Sequence, residues 1–138
     1  MQKNEYLYPN ISLDEIGTIH LPIIPWDRIF LHGDLWAGKT TFVAHWIRAY
    51  LSDPDLPVQS PTYVYYRKYG TNIYHFDLYR MDDEEVFASI GWEEILDNPN
   101  NICFIEWSER LDGMYESTKS VFIEKTENPD VRNVRVFL

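Results

Sequence analysis

The sequence predicts an α/β fold with three layers and a mixed parallel and antiparallel sheet. Strand and helix patterns alternate along the chain, and a glycine-containing loop lies between the first apolar strand and the helix that follows it. Such alternation is typical of a sheet that carries helices on its faces. The 138 residues are enough for one domain with a hydrophobic core. We therefore expect a single domain over residues 1–138, in which residues 1–11 are irregular.

The first half of the chain contains a short and a long helix pattern on either side of a strand. Ser12 and Glu15 have the spacing of a capping box, which predicts a helix that runs to about Leu21. Residues 28–32 have the apolar character of a buried strand. Residues 40–52 predict a helix, because apolar side chains recur along one face. Those side chains are Phe42, Val43, Trp46, Ile47 and Tyr50.

The second half of the chain predicts mostly strands. Residues 62–79 alternate on either side of a turn signal and predict a β-hairpin. Residues 81–96 predict an acidic helix region with a break at Gly91. Residues 102–105 form a short apolar run typical of a central strand. The tail predicts two further strands, joined by a turn at residues 128–130.

The composition excludes several classes of function. The formal net charge is −10, and an acidic domain has no electrostatic footprint for a phosphate backbone, so we expect no autonomous nucleic-acid binding. The sequence has neither a signal-peptide core nor an apolar run long enough to cross a bilayer, which favours a cytoplasmic protein. The single cysteine, Cys103, stands between apolar neighbours and is expected to be a buried thiol.

The segment GDLWAGKT, from Gly33 to Thr40, fits the phosphate-loop pattern G-x-x-x-x-G-K-[ST]. The glycines allow the backbone to wrap closely around a phosphate, so that N–H groups point at the β-phosphate. Lys39 would place its charge between the β- and γ-phosphates. The hydroxyl of Thr40 is a hard oxygen ligand that suits Mg²⁺. The motif therefore predicts binding of a nucleoside triphosphate together with Mg²⁺.

Two carboxylates follow apolar strands and are candidates for the metal and the attacking water. Asp77 ends one strand pattern, and Glu106 ends another in the manner of a Walker B acid. Ligands of α/β folds bind at the carboxyl ends of strands, so both side chains could reach the loop. Asp77 could instead cap a turn or a helix. His32 and His75 belong to no metal-ligand cluster, and we expect them to be structural.

Trp36 is the unusual residue of the loop. The third variable position of such a loop often has a positive φ angle, which costs a tryptophan about 1–3 kcal/mol. Binding need not be lost, because the group donated to the phosphate is a backbone N–H. We expect the indole to be exposed near the γ-phosphate side and to point toward solvent or a partner.

Taken together, the motifs resemble the TsaE (YjeE) family, the P-loop ATPases of bacterial tRNA threonylcarbamoyladenosine synthesis. The matching stretches are GDLWAGKTTF at 33–42, SPTY at 60–63, YHFDLYR at 74–80, EEVFASIGWEEIL at 84–96 and FIEWSERL at 104–111. The resemblance implies a three-layer P-loop NTPase fold. It also implies slow ATP hydrolysis by the isolated protein, which would use ATP to reset the TsaB–TsaD transferase pair between turnovers. The partner pair would then hold the tRNA.

The resemblance also implies roles for individual residues. Phosphate and Mg²⁺ would be held by Gly33, Asp34, Leu35, Trp36, Ala37, Gly38, Lys39, Thr40 and Thr41. Thr40, Asp77 and Glu106 would lie at the metal. Lys39, Asp77 and Glu106 would be catalytic, and which carboxylate acts as base stays open. Thr62 would approach the γ-phosphate as a switch-like residue, and Trp107 would lie beside the nucleotide. The family usually has glycine where this chain has Trp36.

Two other functions remain alternatives. A small-molecule P-loop kinase would need an arginine-bearing lid and an acceptor pocket, and no arginine-rich segment is evident among the 12 basic residues. A nucleotide-sensing scaffold with little catalysis is the second alternative, and Trp36 keeps it open. The guanine-binding pattern N-K-x-D is absent, which argues against a GTPase.

Overall fold

The computed structural model describes residues 4–34, 36–61, 64–81, 91–111 and 113–138. Its strands are β1 (Glu5–Ser12), β2 (Arg28–His32), β3 (Tyr66–Tyr69), β4 (Ile73–Asp77), β5 (Ile102–Glu106), β6 (Lys119–Lys125) and β7 (Val131–Phe137). Its α-helices are α1 (Lys39–Tyr50) and α2 (Trp92–Asp97), and 3₁₀ helices span Leu13–Thr18 and Ser108–Leu111.

Within the described residues, the strands form one seven-stranded sheet in the order β1-β7-β6-β2-β5-β4-β3. Strand β2 lies between β5 and β6 and is parallel to both, and β4 is parallel to β5. The outer pairs, β3 with β4, β6 with β7 and β1 with β7, are antiparallel. All residues of β5 are buried, as expected for a strand covered on both faces. The predicted mixed sheet is confirmed.

Each face of the sheet carries its own buried apolar cluster. Helix α1 covers one face, where its side chains meet those of the strands: Phe42, Val43, Trp46, Ile47, Ile29, Leu31, Phe104, Val121 and Ile123. Helix α2 and the second 3₁₀ helix cover the other face, where the cluster contains Phe76, Leu78, Trp92, Leu96, Cys103, Ile105 and Leu111. The prediction of three layers is thus confirmed.

The expectation that residues 1–11 are irregular is wrong from residue 5 onward. Strand β1 pairs antiparallel with β7, from Glu5 opposite Phe137 to Ser12 opposite Val131, with an irregularity between Tyr8 and Ile11. The strand forms the edge of the sheet, and most of its residues are exposed. A strand of this kind carries little apolar alternation, and its backbone partner lies at the far end of the sequence.

The capping box at Ser12 is confirmed, but the helix that it begins is a 3₁₀ helix that ends at Thr18. Ser12 and Glu15 exchange hydrogen bonds of 3.2 Å between side chain and backbone. Gly17 lies so close to His45 that a Cβ would approach the imidazole to 2.6 Å. The 3₁₀ helix is thus shorter than the sequence pattern predicts, and it packs closely against α1 at Gly17.

The other predicted elements agree with the structure within a few residues. The first hairpin consists of β3 and β4, the tail consists of β6 and β7, and the helix predicted at 40–52 is α1. Gly91 has a φ of +77° and is the N-cap residue at which α2 begins, as expected for the C-terminal side of the predicted break. Most of the predicted helix before Gly91, residues 82–90, lies outside the described residues. Within the described ranges, no helix is long and apolar enough to cross a membrane.

Candidate functional site

The phosphate loop and both candidate carboxylates lie at one edge of the sheet. Strand β2 ends at His32, immediately before the loop. The neighbouring β5 ends at Glu106, which is in register with Leu31 of β2. On its other side, Glu106 is in register with Asp77, the last residue of β4. Because β2, β5 and β4 are mutually parallel, their carboxyl ends meet, and the site forms at this edge.

The loop leads directly into the N-terminus of α1, which is open to an anion. Gly38, the N-cap residue, has a φ of +114° and provides no side-chain cap. The first N–H groups of a helix lack intrahelical partners and carry a partial positive charge, which favours bound phosphate. At the start of the loop, a Cβ on Gly33 would lie 2.6 Å from the carbonyl oxygen of Ile123. Both glycines are therefore required by the backbone geometry.

Trp36 has the conformation that the sequence predicts. Its φ angle is +66°, in the left-handed region. Its side chain is 88% exposed, the most exposed of the large apolar side chains in the described ranges. The indole therefore projects away from the protein, and the strain of about 1–3 kcal/mol falls on the backbone of the loop.

Lys39 lies inside the site. It is only 5% exposed, and its Nζ donates a hydrogen bond of 2.5 Å to the carbonyl oxygen of Gly33. The same Nζ lies 4.0 Å from the centroid of the Trp107 ring, a cation–π contact. Burial lowers the pKa of Lys39, whereas the charges of Glu106 and Asp77 oppose this effect. The ammonium has further N–H donors that can turn toward a phosphate.

Glu106 connects the phosphate loop to β4 through hydrogen bonds. Its Oε2 accepts a bond of 3.1 Å from the hydroxyl of Thr40, the residue after the loop lysine. The same oxygen lies 2.5 Å from Nε2 of His75. Glu106 is 3% exposed and His75 is fully buried, so the orientation of this carboxylate is determined by the protein.

The histidine has a specific role that the sequence reasoning missed. No atom of the described residues hydrogen-bonds to the buried Nδ1 of His75. If the ring carries its single proton on Nε2, that N–H donates to Glu106. Nδ1 then has no proton, so it needs no hydrogen-bond acceptor. The spacing in the sequence could have indicated this role. His75 precedes Asp77 by two residues, so both side chains face the same side of β4.

Asp77 is both a carboxylate at the site and the cap of a turn, the two roles that the sequence left open. It is 5% exposed and is the neighbour of Glu106 across the strand pair. Its Oδ1 also accepts a hydrogen bond of 3.0 Å from the backbone N–H of Tyr79, which stabilises the turn after β4. The turn thus orients a carboxylate at the edge where the loop lies.

Arg132, on the distant strand β7, contacts the loop and was not singled out in the sequence. Its Nε donates to the carbonyl oxygen of Ala37 at 2.8 Å, and its Nη2 donates to that of Trp36 at 3.2 Å. It occupies an inward-facing position of β7, in phase with Val134 and Val136, and is 5% exposed. The alternation of β7 could have identified Arg132, because it places a charged residue at a position where buried apolar side chains are expected.

The remaining predicted residues divide into three groups. Asp34 and Thr41 are exposed, in the loop and in the first turn of α1. Leu35 and Thr62 lie outside the described residues. His32 stacks on Phe122 with the ring centroids 4.4 Å apart, and burial is the main cause of its lowered pKa.

The oxygen donors of the site suit a metal ion that is bound together with a nucleotide. Among the residues that the structure describes, no group of three or more His, Cys, Asp or Glu side chains could hold a metal alone. Mg²⁺ in nucleotide sites takes only one or two protein ligands and completes its shell with phosphate oxygens and water. The hydroxyl of Thr40 and the carboxylate of Glu106 are oxygen donors of this kind, at the entrance to α1.

Comparison with known proteins identifies the family. The family model described as "Threonylcarbamoyl adenosine biosynthesis protein TsaE" matches residues 11–134. The chain belongs to the TsaE family. The TsaE match includes the loop, both carboxylates, His75 and Arg132.

Individual TsaE relatives support this assignment. A tRNA threonylcarbamoyladenosine biosynthesis protein TsaE from Haemophilus influenzae is 35% identical over 111 residues, which span 78% of this chain and 68% of the relative. A protein of the same name from Rickettsia felis is 40% identical over 88 residues, 62% of this chain and only 50% of the relative. The crystal structure of YdiB from Bacillus subtilis has a TM-score of 0.72 at 20% identity and covers 99% of this chain and 87% of that one, which shows a shared fold.

Proposed function

We propose that this TsaE-family protein binds ATP with Mg²⁺ and hydrolyses it to support tRNA threonylcarbamoyladenosine biosynthesis. One observation carries the proposal. The hydroxyl of Thr40, next to the loop lysine, is hydrogen-bonded at 3.1 Å to a buried carboxylate of Glu106. A hydroxyl and a carboxylate in contact at a phosphate loop are the pair that positions Mg²⁺ in P-loop NTPases.

The phosphates would be held mainly by backbone groups. The N–H groups of the loop from Gly33 to Gly38 and of the first turn of α1 would surround the β-phosphate. Lys39 would exchange its bond to the Gly33 carbonyl for bonds to the β- and γ-phosphates. Thr41 would add a contact from the first turn of α1. Trp107, which packs on the lysine ammonium, would keep water away from that charge.

We assign the two carboxylates different positions. Glu106 shares a hydrogen bond with Thr40, so it belongs on the metal side. Asp77 lies one strand further from the loop, where it would orient the attacking water. Mg²⁺ would supply charge neutralisation on the phosphate oxygens when bound. Thr62 would approach the γ-phosphate from the segment before β3.

The partner proposed for this activity is the TsaB–TsaD pair. The net charge of −10 gives this chain little affinity for tRNA by itself, so a partner would hold the nucleic acid. ATP hydrolysis by a single P-loop domain over residues 1–138 would then reset that pair between turnovers. The exposed indole of Trp36 lies on the loop that would respond to nucleotide.

Phosphate release, measured with ATP and Mg²⁺ in the presence and absence of the TsaB–TsaD pair, tests the proposal. We expect slow release by the isolated protein and stimulation by the pair. Phosphate transfer to a small-molecule acceptor would replace the proposal with a kinase. Nucleotide-dependent association with the pair, without turnover of ATP, would replace it with a scaffold.

A further inference from the structure

Arg132 donates hydrogen bonds only to backbone carbonyl groups in the part of the chain that the structure describes. Nε and Nη2 bond to the phosphate loop, at the carbonyl oxygens of Ala37 and Trp36. Nη1 bonds at 2.8 Å to the oxygen of Pro129, in the turn before β7, and at 3.0 Å to that of Val131, the first residue of β7. The ion pairs among described residues do not include Arg132. A buried guanidinium therefore lies behind the loop, and no carboxylate of the described residues forms an ion pair with it.

These contacts orient the peptide groups of the loop. In a trans peptide the C=O and N–H groups point in opposite directions. A carbonyl held by Arg132 on one side therefore turns the following N–H to the other side. The Ala37 carbonyl is followed by the N–H of Gly38, and the Trp36 carbonyl is followed by the N–H of Ala37, which donates to the Asp34 oxygen at 3.1 Å. Arg132 thus stabilises the turn inside the loop and directs the Gly38 N–H away from itself.

The need for such support follows from Trp36. At a φ of +66°, a tryptophan resists the conformation that a glycine would adopt freely. Its indole is 88% exposed and gains almost no packing that could offset the strain. Hydrogen bonds from a charged donor are stronger than those between neutral groups, and arginine keeps its charge at every physiological pH.

We infer that Arg132 is a positioning residue that keeps the phosphate loop in its binding conformation despite the tryptophan at position 36. The inference rests on the proposed function in assuming that the loop binds ATP. The positive charge of Arg132 also favours phosphate binding, because a cation behind the loop attracts an anion in front of it. The two bonds of Nη1, to Pro129 and to Val131 at the start of β7, hold the guanidinium against the sheet, so the loop is connected to a rigid element.

A double-mutant cycle separates this role from general structural support. R132K keeps the charge but loses the planar fork that reaches both loop carbonyls. We expect calorimetric titration of the full chain with ATP and Mg²⁺ to show an affinity about tenfold lower for R132K, or about 1.4 kcal/mol. R135K is the matched control on the same strand, since Arg135 pairs with Glu124 at the surface, and its affinity should equal that of the wild type.

The decisive measurement is the same substitution in the W36G background. Glycine adopts a positive φ without strain, so R132K should then reduce ATP affinity by no more than about threefold. An equal loss in both backgrounds, or no loss in either, would overturn the inference. A wild type that binds no ATP would refute the proposed function instead.

Hydrogen exchange on the wild-type protein without nucleotide tests the inference even if R132K does not fold. The amide of Ala37 should exchange at least about tenfold more slowly than in an unstructured peptide, because the loop is already held. Exchange of this amide at the unstructured rate would show that Arg132 does not hold the loop, and would overturn the inference whether or not ATP binds.

Discussion

The hydroxyl of Thr40 donates a hydrogen bond of 3.1 Å to the carboxylate of Glu106, across 66 residues of sequence. The contact joins the first turn of α1 to the carboxyl end of β5. It places a hydroxyl and a carboxylate at the N-terminus of a helix that has no side-chain cap. The same carboxylate oxygen meets His75 from β4, so three elements meet at one atom.

The first prediction concerns the two carboxylates. Glu106→Gln removes the negative charge that the proposed metal requires, and we expect ATP hydrolysis to fall by at least about 100-fold. Asp77→Asn should reduce turnover by a similar factor. It should leave ATP affinity within about threefold of the wild type, because the Asp77 carboxylate is proposed to orient the attacking water and does not bind phosphate. Phosphate release and calorimetric titration measure the two quantities. Glu94→Gln, an exposed substitution in α2 with the same charge change, is the control, and an equal loss of hydrolysis in this variant would refute the assignment.

The second prediction concerns His75. His75→Leu leaves the Glu106 carboxylate without its buried donor, and we expect about tenfold lower activity at limiting Mg²⁺, a typical effect for a group that orients a metal ligand. His75→Gln should restore much of the loss, because its amide can donate to the same oxygen. Titration of activity with Mg²⁺ distinguishes a changed Mg²⁺ requirement from a changed maximal rate. A leucine variant with the Mg²⁺ profile of the wild type would show that His75 serves only the core.

The third prediction separates the two unusual residues of the loop. Lys39→Ala removes the only cation inside the loop motif, and we expect ATP affinity to fall by at least about 100-fold. Trp36→Gly should retain the affinity of the wild type or increase it. The loop already has the positive φ at position 36 without nucleotide, and glycine adopts this φ without strain. Calorimetric titration with ATP and Mg²⁺ measures both variants. Lys68→Ala, at an exposed position of β3, is the control for loss of charge. A marked loss of affinity in Trp36→Gly would mean that the indole itself contacts the nucleotide.

The fourth prediction concerns Cys103. Burial in the second core cluster raises the pKa of its thiol from 9.0 to about 12. Between these values the unfolded chain loses the proton and the folded chain keeps it, so this group makes folding stability fall as the pH rises from about 9 to 12. Iodoacetamide at pH 9 should therefore leave the native thiol unmodified and react with the unfolded chain. Rapid modification under native conditions would show that the thiol is accessible.

Much of the site could be predicted from local sequence. The loop requires Gly38, Lys39 and Thr40 in consecutive positions, because one tight turn and one helix N-terminus place all their groups around a phosphate. Asp77 and Glu106 were predictable from the apolar runs before them, since such runs form buried strands whose ends meet. The conformation of Trp36 followed from its place in the loop, and the structure confirms its positive φ and its exposure.

The missed features depend on contacts between segments that are far apart in the chain. Strand β1 pairs with β7 at the opposite end of the sequence, and none of its residues is fully buried. Arg132 reaches the loop carbonyl of Ala37 across 95 residues. His75 meets Glu106 because β4 lies directly beside β5 in the sheet.

By itself, the sequence determined that this protein has an α/β fold with a phosphate loop, and the spacing of its motifs was sufficient to place it in its family. The reason is that loop geometry and strand periodicity depend on neighbours a few residues away. Only the tertiary structure decided which buried polar groups support the loop and its carboxylates. A histidine or an arginine in the inward phase of a strand acquires a role only when register and strand order bring a particular partner to it.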